Sequence, residues 1–157
     1  MNIKLIAIGK TDNKNLQLFI DEYLKRLSFY IKFDLEIIPD IKNVKNLSEN
    51  QQKEKEGELI LAKITATDQL ILLDENGKTF SSVSFSEELQ KKMNSGVKTL
   101  VFVIGGPYGF SETVYAKAHG KISLSQMTFS HQMVRLFFIE QLYRGFTILK
   151  NEPYHHQ

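Results

Sequence analysis

Apolar positions along the chain alternate between short solid runs and longer stretches spaced at three and four residues. Ile3–Ile8 is mostly apolar and stops at Gly9, which predicts a central strand. Leu16, Phe19, Ile20, Tyr23, Leu24, Leu27 and Tyr30 follow the helical spacing and predict one amphipathic helix over about 13–28, capped by Thr11 or Asp12. Phe33, Leu35 and Ile37 alternate with Asp34 and Glu36, a half-buried strand ended by Pro39-Asp40. Gln69–Leu73 and Leu100–Ile104 are further apolar strands. Asn76-Gly77 after the first of these is a turn signal. Ser84 with Glu87 reads as a capping box opening a helix that closes at Ser95-Gly96. Ser111-Glu112 opens a short helix over 113–118, and Lys121–Leu124 is a fifth strand. Strands alternating with helices predict a single α/β domain over residues 1–157, with a largely parallel sheet flanked by helices.

Two stretches stand out from this frame. Ser130–Leu149 is a helix with apolar residues on nearly every face, Met133, Phe137, Phe138, Leu142 and Phe146 among them. In so small a domain that predicts burial partly against a second copy of the chain, a homodimer. Residues 41–58 are polar, and read as a solvated loop passing into a helix over 48–64. Lys42, Lys45, Lys53 and Lys55 could instead touch RNA phosphate, but Glu49, Glu54, Glu56 and Glu58 dilute that field.

Composition narrows the chemistry. The chain has 157 residues, 42% hydrophobic and 24% charged, enough for one full core. It lacks cysteine, which excludes disulfides, thiolate catalysis and a Cys-based zinc site. No apolar run is long enough to span a membrane, and the first residues read as a strand and not a leader, so a cytoplasmic protein is expected. The net charge of +2 neither demands nor forbids a nucleic-acid partner.

Candidate chemistry gathers late in the chain. Ile104-Gly105-Gly106-Pro107-Tyr108-Gly109 ends a buried strand in a loop of bare backbone, where a flat or charged ligand can lie against the main chain. It is neither the dinucleotide fingerprint nor a phosphate loop, because the spacing and the Gly-Lys-Ser/Thr ending are absent. Leu124-Ser125-Gln126-Met127-Thr128-Phe129 leaves the fifth strand; its main chain could read an adenine edge while Leu124, Met127 and Phe129 cover the ring. His131 and Arg135, four apart, share a helix face and read as surface or interface residues. The tail Asn151–Gln157 carries Tyr154 beside His155, with Arg144 one helix end away; aromatic stacking and arginine–phosphate contact suit RNA. Adjacent His155 and His156 make a poor zinc site, and no metal is expected.

Taken together, LLDENGK, FVIGGPYGF, LSQMTFSHQMVRLFFIEQLYRGFTIL and PYHH resemble the SPOUT, or trefoil-knot, methyltransferases, over nearly the whole chain. The resemblance implies a knotted α/β fold, a homodimer, S-adenosylmethionine as methyl donor with S-adenosylhomocysteine as product, and methylation of N3 of a pseudouridine in 23S rRNA. It places cofactor contacts on Leu73, Gly105 and Leu124 through Phe129, and catalysis or RNA placement on Arg144, Tyr154 and His155. Two positions depart from the pattern: Gln132 stands where many members have proline after His131, and Tyr108 where some carry an acidic residue. A non-catalytic rRNA-binding assembly factor and a flavodoxin-like nucleotide module are the competing classes. Gly9-Lys10-Thr11 is a meagre phosphate site for the second.

Overall fold

A computed structural model describes residues 1–156. Five strands form one sheet: β1 (Asn2–Ile8), β2 (Lys32–Ile38), β3 (Asp68–Thr79), β4 (Thr99–Ile104) and β5 (Gly120–Ser123), in the order β2-β1-β4-β3-β5. Every pairing is parallel. Helices α1 (Lys14–Leu27), α2 (Glu49–Leu61), α3 (Ser82–Asn94), α4 (Glu112–Lys117) and α5 (Met133–Leu149) cover both faces. Strand alternation divides the core accordingly. Leu5, Ala7, Leu100, Phe102 and Ile104 face one way and pack with Ile20, Leu27, Phe85, Leu89, Phe138, Ile139, Leu142 and Phe146 of α1, α3 and α5. Ile6, Ile8, Val101 and Val103 face the other and pack with Ile60 of α2 and Val114 of α4.

The helix ends follow side-chain capping. Asn13, one residue past the expected Asp12 and two past Thr11, accepts from the amides of Asn15 and Leu16 at 2.9 and 3.1 Å. The box expected at Ser84 is not the cap. Ser81 accepts from Ser84 N at 3.1 Å and starts α3 three residues earlier. A true capping box sits in the polar stretch instead, where Ser48 and Gln51 exchange bonds of 2.9 and 3.1 Å at the head of α2. Ser130 takes the Met133 amide at 3.1 Å and anchors the first turn leading into α5.

The Asn76-Gly77 turn signal is overridden, since β3 continues through it to Thr79. Ile122 of β5 pairs with both Leu73 and Lys78. A strand residue accepts one partner on each edge, so these two flank Ile122 on opposite sides. Residues 74–77 therefore pass across β5, and Gly77 rests directly on the Ile122 backbone.

The expectation that α5 needs a second chain to cover its apolar girth changes in proportion. It lies over the sheet packed against α1 and α3, which buries Phe138, Ile139, Leu142 and Phe146 within the subunit. What stays outward is a narrow stripe at Met133 and Phe137, one turn apart, continued by Phe129 and Met127.

Candidate active site

The carboxyl ends of β3, β4 and β5 open on a cleft of about 580 Å3, the position where parallel α/β sheets hold ligands. Of the residues expected to bind cofactor, Leu73, Gly105, Leu124, Ser125, Met127, Thr128 and Phe129 line it; Gln126 does not. The glycine loop is a tight turn: Gly109 N–H donates to Gly106 O at 3.2 Å, with Pro107 second in the turn. Gly109 has φ of +80°, which glycine adopts without strain. The facing loop is fixed by its own serines. Ser123 Oγ donates to Ser125 O at 2.9 Å, and Ser125 Oγ accepts the Met127 amide at 3.0 Å.

Several groups that the sequence does not assign to the site lie here. Asp74, Glu75, Asn76, Tyr115 and His131 also line the cleft. Tyr115 donates to Asp74; burial, then that carboxylate, push its phenol up to about 12. The only sequence hint was the turn-like Asp74–Gly77 stretch, which marks the crossing and not a solvent turn.

Arg135 is not the surface or interface residue that periodicity suggests. It is fully buried and donates to Ile8 O at 2.8 Å, His131 O at 3.0 Å and Thr11 Oγ1 at 3.1 Å. Burial lowers its pKa, against the pull of Asp12 and Asp40. One guanidinium thus ties the end of β1 to the start of α5. Gln132 reinforces the tie, accepting from Asp12 N at 3.0 Å and donating to Lys10 O at 3.2 Å, which a proline side chain cannot do. Arg135→Ala should lower unfolding stability by about 3–5 kcal/mol, because three acceptors lose their donor in a dry site. A urea titration followed by circular dichroism measures it, and an unchanged midpoint would refute the tie.

The tail residues assemble elsewhere. Helix α5 ends with Asn151 at φ +55°, while Glu152 N–H reaches Thr147 O at 2.9 Å and Asn151 N–H reaches Ile148 O at 3.0 Å. This pair of bonds closes the helix and reverses the chain, with Pro153 preventing its continuation. The tail folds back on α1 and α5. Tyr154 donates to Glu140 at 2.9 Å, meets the Tyr23 hydroxyl at 3.0 Å and stands edge-on to Tyr143 at 4.7 Å. Glu140 also receives Arg144 Nη2 at 2.5 Å, and Arg144 lies over the Tyr154 ring at 4.8 Å. Burial, then the bonds to Tyr23 and Glu140, hold the Tyr154 phenol well above its ordinary range, so it is a neutral donor at physiological pH. Arg144 Nη1 stands 3.2 Å from His155 Nδ1. Guanidinium only donates, so Nδ1 accepts and a neutral ring keeps its proton on Nε2.

Arg144, Tyr154 and His155 therefore form one cluster, but not in the cleft of their own chain. Val134 lines the cleft, and Arg144 follows ten residues later, about 15 Å along the helix. A second hollow of about 330 Å3 shares Leu124 and Phe129 with the cleft and runs to Glu140.

An adenosine-sized donor fits the cleft. Its volume lies within the roughly 300–1,000 Å3 typical of small-ligand sites. Leu73, Ile104, Leu124 and Phe129 supply apolar walls, and the 105–106 and 124–129 main chain supplies donors and acceptors. Among the described residues no cluster of three metal-ligating side chains occurs, and no helix is long and apolar enough to cross a membrane.

This parallel α/β domain, with its loop pair at the strand ends, is matched over residues 1–155 by a family model described as "Predicted SPOUT methyltransferase". The chain belongs to the SPOUT methyltransferase family. Among its relatives, proteins named "Ribosomal RNA large subunit methyltransferase H" are 90% identical in Flavobacterium johnsoniae, 89% in Flavobacterium psychrophilum and 54% in Porphyromonas gingivalis. Each match covers 100% of both chains.

Proposed function

We propose that this protein is a homodimeric, cytoplasmic enzyme that transfers a methyl group from S-adenosylmethionine to N3 of a pseudouridine in 23S rRNA. The observation that carries the reading is the meeting of Leu73, the Gly105 loop and the Leu124–Phe129 turn on one cleft. The near-identity to proteins named as methyltransferases of large-subunit rRNA supports the substrate class. The passage of residues 74–77 across β5 fits a chain threaded as a trefoil knot.

When bound, S-adenosylmethionine supplies an activated methyl group on a cationic sulfur. The main chain of Leu124, Ser125 and Met127–Phe129 would hold the adenine, with Leu124, Met127 and Phe129 covering it and Leu73 beside it. Gly105 lets the donor lie against bare backbone. The tail of the partner subunit then faces the cleft. Tyr154, a neutral hydroxyl donor, orients or stacks the base, and Arg144 holds a phosphate or the developing anion of the ring. His155 takes the N3 proton or positions a water for it once Arg144 turns to RNA and frees Nδ1. A net charge of +2 suits a pre-folded target in the ribosome better than naked RNA held in a basic groove.

The test is mass spectrometry of 23S rRNA from cells lacking this gene. One pseudouridine should lose a single methyl and regain it when this chain is restored. Calorimetry of the purified protein should register S-adenosylmethionine binding; ribosome binding without donor binding would make the chain an assembly factor instead.

A further inference from the structure

The glycine loop has two sides. One lines the cleft; against the other lies the carboxyl group of Glu56, from α2. A Cβ built on Gly106 would sit 2.0 Å from Glu56 Oε2 and 2.7 Å from Oε1, so only glycine lets the loop rest there. Glu56 is 3% exposed, a depth at which glutamate almost always has a cationic partner. It has none among the described residues: Oε1 accepts from Gln52 at 3.1 Å, and Oε2, sealed from solvent, meets no donor. Gln52 on its own helix is uncharged. The charged and titratable groups that act on Glu56 are Asp40 beyond β2, which opposes its ionisation, and His131 at the cleft, which favours it. An ionised carboxylate so placed costs folding energy unless a positive charge arrives nearby.

We propose that Glu56 is the counter-charge for a cationic ligand in the cleft, one backbone thickness behind Gly106, and that it selects the positively charged methyl donor over its uncharged product. The inference rests on the donor-binding reading above. S-adenosylmethionine carries a sulfonium cation; S-adenosylhomocysteine, left after transfer, is a neutral thioether. The attraction therefore exists before transfer and vanishes after it, which assists product release. Asp74 and Glu75 also border the cleft, but Asp74 is half-buried and already accepts the Tyr115 hydroxyl, while Glu75 is open to solvent, where water and salt weaken its pull. Burial raises the pKa of Glu56, so selectivity for the cation should be weak at low pH and grow as pH rises through its titration.

Calorimetry on the full chain between about pH 5 and pH 9, with S-adenosylmethionine, S-adenosylhomocysteine and the amine-bearing analogue sinefungin, tests this. The wild type should favour the two cations over the thioether, increasingly so at higher pH. Glu56→Gln should weaken both cations about tenfold, leave the thioether within about twofold and flatten the pH trend. Glu56→Asp, which keeps the charge, should keep the preference. Equal loss for all three ligands would reduce Glu56 to shaping the loop and overturn the proposal, as would no loss at all. Should Glu56→Gln not fold, a wild-type preference that does not change with pH overturns it alone. A wild type that binds none of the three defeats the donor reading itself, a different result from either.

Discussion

Gly77→Ala should cost at least about 3 kcal/mol and leave little folded protein at 37 °C. Its Cβ would stand 2.6 Å from both the carbonyl carbon and the nitrogen of Ile122, and 2.7 Å from the carbonyl carbon of Lys121. These are main-chain atoms of β5, which cannot swing aside as a flexible side chain would. Nor can the Gly77 segment lift away, because Leu73 and Lys78 pin it to opposite edges of Ile122. Relief would require breaking β3–β5 pairing and, with it, the cleft that these strand ends build. Gly96→Ala is the control. Gly96 has φ of +77° with nothing within 4 Å, so alanine there meets only backbone strain of about 1–2 kcal/mol. Urea unfolding of both variants, followed by circular dichroism, separates the cases. A Gly77→Ala midpoint no lower than that of Gly96→Ala would show that the crossing is loose.

The same glycine shows where sequence reasoning stops. β1 and β4 were readable because solid apolar runs have few alternatives to a doubly covered strand. Asn76-Gly77 was misread because a turn and a close backbone crossing demand the same residue; only the partner, Ile122, distinguishes them, and it lies 45 positions away. Glu56 was hidden in a run of lysines and glutamates whose composition describes a solvated face. Burial of one glutamate there depends on Gly106, fifty residues later. Arg135 deceived in the opposite sense, since arginine at helical spacing from His131 reads as surface until β1 supplies its acceptor. The two loops of the cleft were legible as motifs through their family resemblance. Their convergence on one cleft followed from that resemblance alone, because neither loop carries a local signal for the other. The tail's direction had a signal that went unused: Asn151 followed by Pro153 is the chemistry of a reversing helix end.

The last prediction concerns the roughly 15 Å between that tail and the cleft of its own chain. If Arg144, Tyr154 and His155 act on substrate, they act from the partner subunit, and the exposed stripe of Met133, Phe137, Phe129 and Met127 beside the cleft is a natural seat for it. Arg144→Ala should then lower methyl transfer by about 100- to 1,000-fold while leaving S-adenosylmethionine affinity intact, since the guanidinium touches the tail and not the cleft. Gly105→Arg, which crowds the glycine loop, should abolish donor binding with the tail untouched. Unfolded together and refolded in equal amounts, the two variants pair at random. About half the dimers are mixed, and each mixed dimer holds one site with both a sound cleft and a sound tail. Activity should return to about a quarter of wild type. Were cleft and tail of the same chain to work together, every site in the mixture would carry one defect, and activity would stay at the level of the separate variants.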